Sequence, residues 1–243
     1  MLFDQSEYHL RCEWGLPGLL RLAPAADAII IVDVLSFSTA VDIAVARGAS
    51  VLPYCWRDES AACYAAEKQA TLAAVRSLSA LSLSPASLRA IPPGTALVLP
   101  SPNGSTLCFG APQIPAYTAC LRNAPAVAAH LAQHHARIAV IPAGEHWDDG
   151  TLRPCLEDLL GAGALLSLLP GSRSPEAELA IAAFERFRHT LPAALAHCAS
   201  GQELTEKGFP DDIALAAEYG VSAAVPLLTG DRFTDCASQP NPR

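Results

Sequence analysis

Short apolar runs recur along this chain, each followed by a segment in which apolar positions return every three or four residues. The clearest run is Ala28-Ile-Ile-Ile-Val-Asp-Val-Leu. It is β-branched and does not alternate, the pattern of a strand covered on both faces in a parallel sheet. Ser38 to Gly48 follows with helical spacing, Ser38 as N-cap candidate and Gly48 at the C′ position. Ala49 to Trp56 then reads as a second strand, completing a β-α-β unit.

The alternation continues. Residues 58–76 read as a helix, Ser77 to Pro93 as a Ser/Leu/Pro loop, Thr95 to Pro100 as a strand, and Ser101-Pro-Asn-Gly-Ser-Thr as the turn at its end. Pro115 to Cys120 predicts a short strand, Ala124 to Gln133 a helix, Arg137 to Gly144 a strand and turn, and Pro154 to Leu168 a helix broken by small residues. Further helices are expected at Pro175 to His189, Leu191 to Ala199 and Asp211 to Glu218, with a fraying polar tail after Phe233. Strands alternating with helices predict an α/β fold with a largely parallel sheet. No fixed-period repeat or long linker divides the chain, so one domain over residues 1–235, with two lobes at most, and a flexible tail over 236–243 are expected.

Composition narrows the class. Of 243 residues, 51% are hydrophobic and 16% charged, enough to bury a large core and far from disorder. A net charge of -8 argues against nucleic acid, whose partners carry a basic face. No apolar run approaches the roughly 18–20 residues of a membrane span. The N-terminus carries Asp4 and Glu7 where a secretory signal would be basic and then apolar, so a cytoplasmic protein is expected. The cysteines, at 12, 55, 63, 108, 120, 155, 198 and 236, form no C-x-x-C pair or zinc-spaced cluster and read mostly as small buried residues held reduced. None has an arginine six positions on, which excludes the cysteine-phosphatase signature, and no G-x-S-x-G elbow occurs.

The acidic residues are laid out unevenly. They fall between Asp4 and Glu67 and again from Glu145 to Asp235, with none from Lys68 to Gly144. That acid-free stretch contains Ser101 to Thr106.

In parallel sheets ligands bind beyond the carboxyl ends of the strands, so the residues just after each strand are the candidates. Asp33-Val-Leu-Ser-Phe-Ser-Thr supplies a carboxylate with the hydroxyls of Ser36, Ser38 and Thr39 at a helix start; it reads equally as capping by Asp33 and Ser38. Asn103-Gly104 allows a positive φ, and the hydroxyls and amides of Asn103, Gly104, Ser105 and Thr106 could converge on an anion; an ordinary turn has the same residues. Glu157 and Asp158 suit the positive end of a helix, or Mg²⁺ with Glu145 nearby, since that ion takes one or two carboxylates with water and phosphate oxygens. Asp211-Asp212 reads as capping. The histidines are scattered, with only His146 inside a motif.

Taken in order, Val32-Asp-Val-Leu-Ser-Phe-Ser-Thr-Ala, Ser82-Leu-Ser-Pro, Ser101-Pro-Asn-Gly-Ser-Thr, Leu121-Arg-Asn-Ala-Pro, Ala143-Gly-Glu, Leu156-Glu-Asp-Leu-Leu-Gly-Ala-Gly-Ala and Gly208-Phe-Pro-Asp-Asp-Ile-Ala-Leu resemble the 2-phosphosulfolactate phosphatase (ComB-like) family. The resemblance runs from about residue 28 to 230. It implies a three-layer α/β/α fold and Mg²⁺-dependent hydrolysis of (2R)-2-phospho-3-sulfolactate to 3-sulfolactate and phosphate, on the route to coenzyme M. Two positions depart from the family pattern: Ser36 stands where an arginine is usual, and Leu83 where Gly-Asn-Ser-Pro has its asparagine. A Gly-Glu-Arg segment before the latter is not found. Serine cannot replace a bidentate cationic clamp.

The mechanism this implies places the phosphoryl group on Asn103 to Thr106 and Mg²⁺ on Asp33, Glu157 and Asp158. Glu145 positions or deprotonates the attacking water, and Asn123 adds a supporting hydrogen bond. The alternatives are a phosphatase of another phosphorylated hydroxy acid, and an inactive member that binds an anionic metabolite. The expected partner is a small anionic substrate, with a homodimer as the expected assembly.

Overall fold

The computed structural model describes residues 2–56, 58–77, 80–111 and 114–237. The chain begins with β1 (Leu10–Cys12), α1 (Gly15–Leu22), β2 (Ala28–Val32), α2 (Phe37–Ala46), β3 (Ser50–Tyr54), α3 (Glu59–Glu67), β4 (Thr71–Leu72), α4 (Pro85–Leu88), β5 (Ala96–Pro100) and α5 (Gly104–Gly110). It continues with β6 (Ala116–Thr118), α6 (Ala124–His134), β7 (Ile138–Pro142) and the small hairpin β8 (Glu145–His146) and β9 (Leu152–Arg153). Five helices follow, α7 (Leu156–Leu166), α8 (Pro175–Phe187), α9 (Leu191–His197), α10 (Ala199–Glu206) and α11 (Pro210–Ala216), before the hairpin β10 (Pro226–Thr229) and β11 (Arg232–Asp235). No helix among the described residues is long and apolar enough to cross a membrane.

One sheet runs in the order β1-β7-β2-β6-β10-β11-β3-β5-β4. Side chains alternate between its faces along a strand. Ile30 and Val32 of β2 enter one apolar cluster with Val127, Leu160 and Phe184, while Ile29 and Ile31 enter the other with Leu19, Val41 and Leu97. Helices therefore cover both faces, the three-layer α/β/α arrangement, and that is why the β2 run is uninterrupted. Each isoleucine so buried contributes roughly 1.5–3 kcal/mol. The small residues of α7 have a packing reason: a Cβ on Gly163 would lie 2.0 Å from the Ala180 carbonyl oxygen of α8.

The sheet is mostly parallel, but β10 and β11 are antiparallel to each other and to their neighbours β6 and β3. The expected fraying after Phe233 does not occur before Asp235. Phe233 is fully buried against Phe37, with ring centroids 6.1 Å apart, and Asp235 Oδ1 accepts from the Val225 amide at 2.9 Å. The part of the tail over 238–243 lies outside the described residues. Because the hairpin adds three antiparallel pairings, the parallel block β3-β5-β4 runs against the block β1-β7-β2-β6. At about 20–25° of twist per pair, the five pairings between β2 and β5 turn the blocks by roughly 100–125°. The turn after β5 thereby returns to the end of β2.

Two expected elements are replaced. The helix predicted to residue 76 stops at Glu67: Gln69 takes a left-handed φ of 51°, and Thr71–Leu72 join the sheet as an edge strand beside β5. The predicted 77–93 loop contains the single turn α4, led by Pro85 and steadied by the Ser82 hydroxyl, which accepts from the Ser77 amide and donates to the Ser77 carbonyl. Helix α10 was not foreseen at all.

Candidate active site

A cleft of about 170 Å³ opens at the ends of β2, β5 and β7 and is walled by α10 and the segment between β4 and α4. Asp33, one residue past β2, is 5% exposed on its floor. Its Oδ1 accepts from the Phe37 amide at 3.2 Å, so Asp33 caps α2, whose N-cap position is Ser36 and not Ser38 as the spacing suggested. Its Oδ2 accepts from the Gly104 amide at 3.0 Å. The Leu35–Ser36 peptide bond beside it is cis.

Gly104 does not adopt the positive φ expected of an Asn-Gly turn; it is the first residue of α5. Glycine is required for a different reason. A Cβ there would meet Phe37 Cδ1 at 2.3 Å and Asp33 Oδ2 at 2.9 Å. The expected amide nest is therefore closed by a carboxylate from the chain itself.

Glu145 lies on the opposite wall in β8. Its Oε1 accepts from Asn103 Nδ2 at 2.9 Å and from the His146 amide at 3.1 Å, and Asn103 Oδ1 lies 3.2 Å from His146 Nδ1. One carboxylate oxygen is thus fixed by two donors, while Oε2 accepts no hydrogen bond from the described residues.

One cation of the cleft is Arg76. Its Nη1 donates to Asp212 Oδ2 at 2.5 Å and its Nη2 to Ser36 Oγ at 3.0 Å, with the guanidinium 5.5 Å from the Phe209 ring centroid. Asp212 is fully buried and also accepts from Ser84 Oγ at 2.5 Å and the Ala86 amide at 3.1 Å. It is the joint between α11, α4 and the Arg76 segment rather than a simple cap. Across the cleft α10 contributes Ser200 and Glu203, and Lys207 just beyond its end bonds Glu203.

The structure gathers Asp33, Ser36, Asn103 and Glu145 around this cleft. It turns other candidates elsewhere. Ser38 Oγ receives the Asp33 amide at 2.8 Å and pairs with Thr118 Oγ1 at 2.7 Å, while Thr39 Oγ1 donates to the Val34 carbonyl at 2.8 Å. Ser105 Oγ accepts from the Tyr54 amide at 3.1 Å, and Thr106 Oγ1 bonds the Pro102 carbonyl. All four hydroxyls therefore serve the scaffold. Asn123 is fully buried at the start of α6, where its Oδ1 accepts from the Cys120 amide at 2.8 Å; it does not line the cleft.

The three carboxylates expected to share Mg²⁺ are likewise separated in role. Asp158 Oδ1 accepts from the Val34 amide at 2.7 Å and Oδ2 from the Gly144 amide at 2.8 Å, stitching α7 to the ends of β2 and β7. Glu157 is buried at the α7 start. Neither lines the cleft. Among the described residues no group of three or more His, Cys, Asp or Glu side chains is placed to hold a metal ion. Burial pushes the Asp33 carboxyl up, and the charges of Glu145 and Glu157 add to this against its amide donors. Burial pushes Asp158 up further, with Asp33 and Glu157 contributing.

Magnesium needs only one or two protein carboxylates, its other positions being filled by water and phosphate oxygens. Asp33 and Glu145 meet that need. Both line the cleft, and neither has an ion-pair partner among the described residues. An Asp33 oxygen that accepts one amide retains a second lone pair.

Arg76, Asp212 and Lys207 were missed in the sequence. Arg76 lay inside an Ala-rich stretch read as helix, and nothing in its spacing linked it to Ser36. Asp211-Asp212 carried a visible signal, two acids before an apolar helix, but the signal pointed to capping. All eight cysteines are unbridged and five are buried, as their scatter suggested. A family model described as 2-phosphosulpholactate phosphatase matches residues 16–231 of the 243-residue chain. No curated protein matches it.

Proposed function

The chain belongs to the 2-phosphosulpholactate phosphatase family and is a phosphoric monoester hydrolase; from that premise we propose that it uses Mg²⁺ to release phosphate from the 2-phosphate ester of a small hydroxy acid in this cleft. The observation that carries the reading is the opposition of two unpaired carboxylates, Asp33 and Glu145, to the Arg76 guanidinium across one small opening. Carboxylates of that kind suit a cation, and a guanidinium suits phosphoryl oxygens.

Asp33 would hold the magnesium ion. Bound there, the ion would neutralise charge on the phosphoryl group and orient it for in-line attack. Arg76, supported by Asp212, binds the phosphoryl oxygens, with the Ser36 hydroxyl and the Asn103 side chain beside it. Its position answers the loss of the family's usual arginine at residue 36, since the guanidinium comes from another segment and touches that very serine. Glu145, with Oε1 fixed by Asn103 and His146, presents Oε2 to the attacking water and takes its proton. The water oxygen bonds phosphorus as the ester P–O bond breaks, the departing alkoxide takes up a proton from a solvent water, and Glu145 returns its proton to solvent. Most of the rate enhancement comes from charge placed in advance around the transferring group.

The test is phosphate release from 2-phospholactate and 2-phospho-3-sulfolactate, with Mg²⁺ and with EDTA, by wild type, Asp33→Asn and Arg76→Ala. The reading requires metal-dependent release that falls roughly 100-fold in Asp33→Asn. Unchanged turnover in both variants would remove this cleft from the reaction.

A further inference from the structure

Arg76 borders more than one space. Arg76 and Leu83 also line a second cavity of about 250 Å³, with Ala61, Leu72, Ala73, Ala74 and Pro100 among its other walls. The one carboxylate among the described residues lining it, Asp58, is engaged at the start of α3, where Oδ1 accepts from the Ser60 amide at 3.0 Å. The two spaces therefore lie side by side, with Arg76 and Leu83 in the lining of both. Together they fall within the roughly 300–1,000 Å³ of small-molecule sites, and each alone falls below it.

We infer that the preferred substrate is a phosphate monoester whose carbon chain is apolar: phosphate in the cleft beside Arg76, apolar arm past Leu83 in the adjoining cavity. This rests on the phosphatase reading above and specifies its substrate class. Electrostatics favours the same choice. The two cations among the described residues lining the cleft already face carboxylates, Arg76 with Asp212 and Lys207 with Glu203. One phosphoryl group can share Arg76, and the substrate's carboxylate can share the exposed Lys207, but a third strong anion would lie among Asp33, Glu145 and Glu203 with no further cation among the described residues lining the cleft. A sulfonate would lose its hydration there without replacement, whereas an apolar arm gains by leaving water. Leu83 is the residue that decides between them, because it faces both spaces.

The experiment compares kcat/KM for three esters with the whole chain and Mg²⁺: the 2-phosphates of lactate, 3-sulfolactate and 4-methyl-2-hydroxypentanoate. The branched apolar ester is expected to exceed the lactate ester by roughly tenfold or more, the scale of a few buried methylene groups, and to exceed the sulfolactate ester as well. Leu83→Asn and Ala74→Phe, the second intended to obstruct the cavity, are each expected to reduce the branched-to-lactate ratio several-fold. A ratio measured within one preparation is independent of how much of the variant has folded. A preference for the sulfolactate ester, equal values for all three, or a ratio unmoved by both variants would overturn the inference while leaving the phosphatase reading intact. Release from none of the three would overturn that reading, and this inference with it.

Discussion

The Gly104 amide donates to Asp33 Oδ2 at 3.0 Å, joining the turn after β5 to the turn after β2. These strands belong to blocks that run in opposed directions, separated by the β10–β11 hairpin. The bond exists because the twisted sheet brings the turns together and because residue 104 has no side chain to keep Phe37 and Asp33 away.

Gly104→Ala is accordingly expected to fail by crowding, not by altered φ. Its Cβ would force Phe37 or α5 to move, at about 1–3 kcal/mol. Thermal melting should fall by about 2–4 °C for each kcal/mol, and phosphate release should fall with it. Full stability and activity in Gly104→Ala would contradict the packing described.

Asp33→Asn and Asp158→Asn separate a metal-holding carboxylate from a structural one. Asp33→Asn should raise the Mg²⁺ concentration for half-maximal activity roughly tenfold or more. Asp158→Asn turns an NH₂ toward the Val34 or Gly144 amide, so it should lower stability by about 1–3 kcal/mol while leaving the Mg²⁺ midpoint near wild type. A Mg²⁺ midpoint that moved in both variants would restore the ligand set first read from the sequence, Asp33 with Glu157 and Asp158.

Asp212→Asn removes the buried charge that holds Arg76. With the Arg76 side chain 18% exposed, the expected loss is about 2–4 kcal/mol by chemical denaturation, toward the low side for an unpaired buried ion. In the fraction that folds, KM for the phosphate ester should rise more than kcat falls, because the guanidinium loses its position and not its charge. A large kcat loss at constant KM would argue against a binding role for Arg76.

Stability is expected to depend on a histidine cluster far from the cleft. Tyr117 Oη lies 3.2 Å from His130 Nε2 and 3.0 Å from His135 Nε2, and His130 stacks on His134 at 4.2 Å. Burial lowers the pKa of His130, with His134 and His135 adding to this against Asp235; burial and His134 lower that of His135 against Asp27. Near pH 6 the unfolded chain thus binds more protons than the folded one, and stability rises with pH. The contribution is complete above about pH 6.5 and is lost as pH falls through the lower folded values. Melting temperatures from pH 8 to pH 5 should fall more steeply in wild type than in His130→Gln/His135→Gln; parallel curves would refute this.

Much of the site could be read from strand ends. Asp33, Ser36, Asn103 and Glu145 each follow an apolar run within a few residues, and the rule that ligands gather there identified all four. What misled was the local chemistry of short motifs. Ser38, Thr39, Ser105 and Thr106 have the right side chains at the right turns, yet each hydroxyl has a backbone or neighbouring hydroxyl partner closer than the cleft. Glu157-Asp158 and Asp211-Asp212 look alike in sequence; one aspartate meets two backbone amides and the other a guanidinium, through partners remote in the chain.

The sequence by itself determined the α/β class, most of the strands and helices, and the apolar residues that bury both faces of the sheet, because periodicity is a local property enforced by backbone geometry. It also carried the acid-free middle segment, which supplies Asn103 and Arg76, and the flanks that supply Asp33 and Glu145. Only the tertiary structure decided which of those groups meet. An antiparallel hairpin from the end of the chain enters the middle of the sheet, its twist folds one parallel block toward the other, and Asp212 draws Arg76 to Ser36. Those contacts span long separations in sequence, where no period or motif constrains them, and packing alone selects the partners.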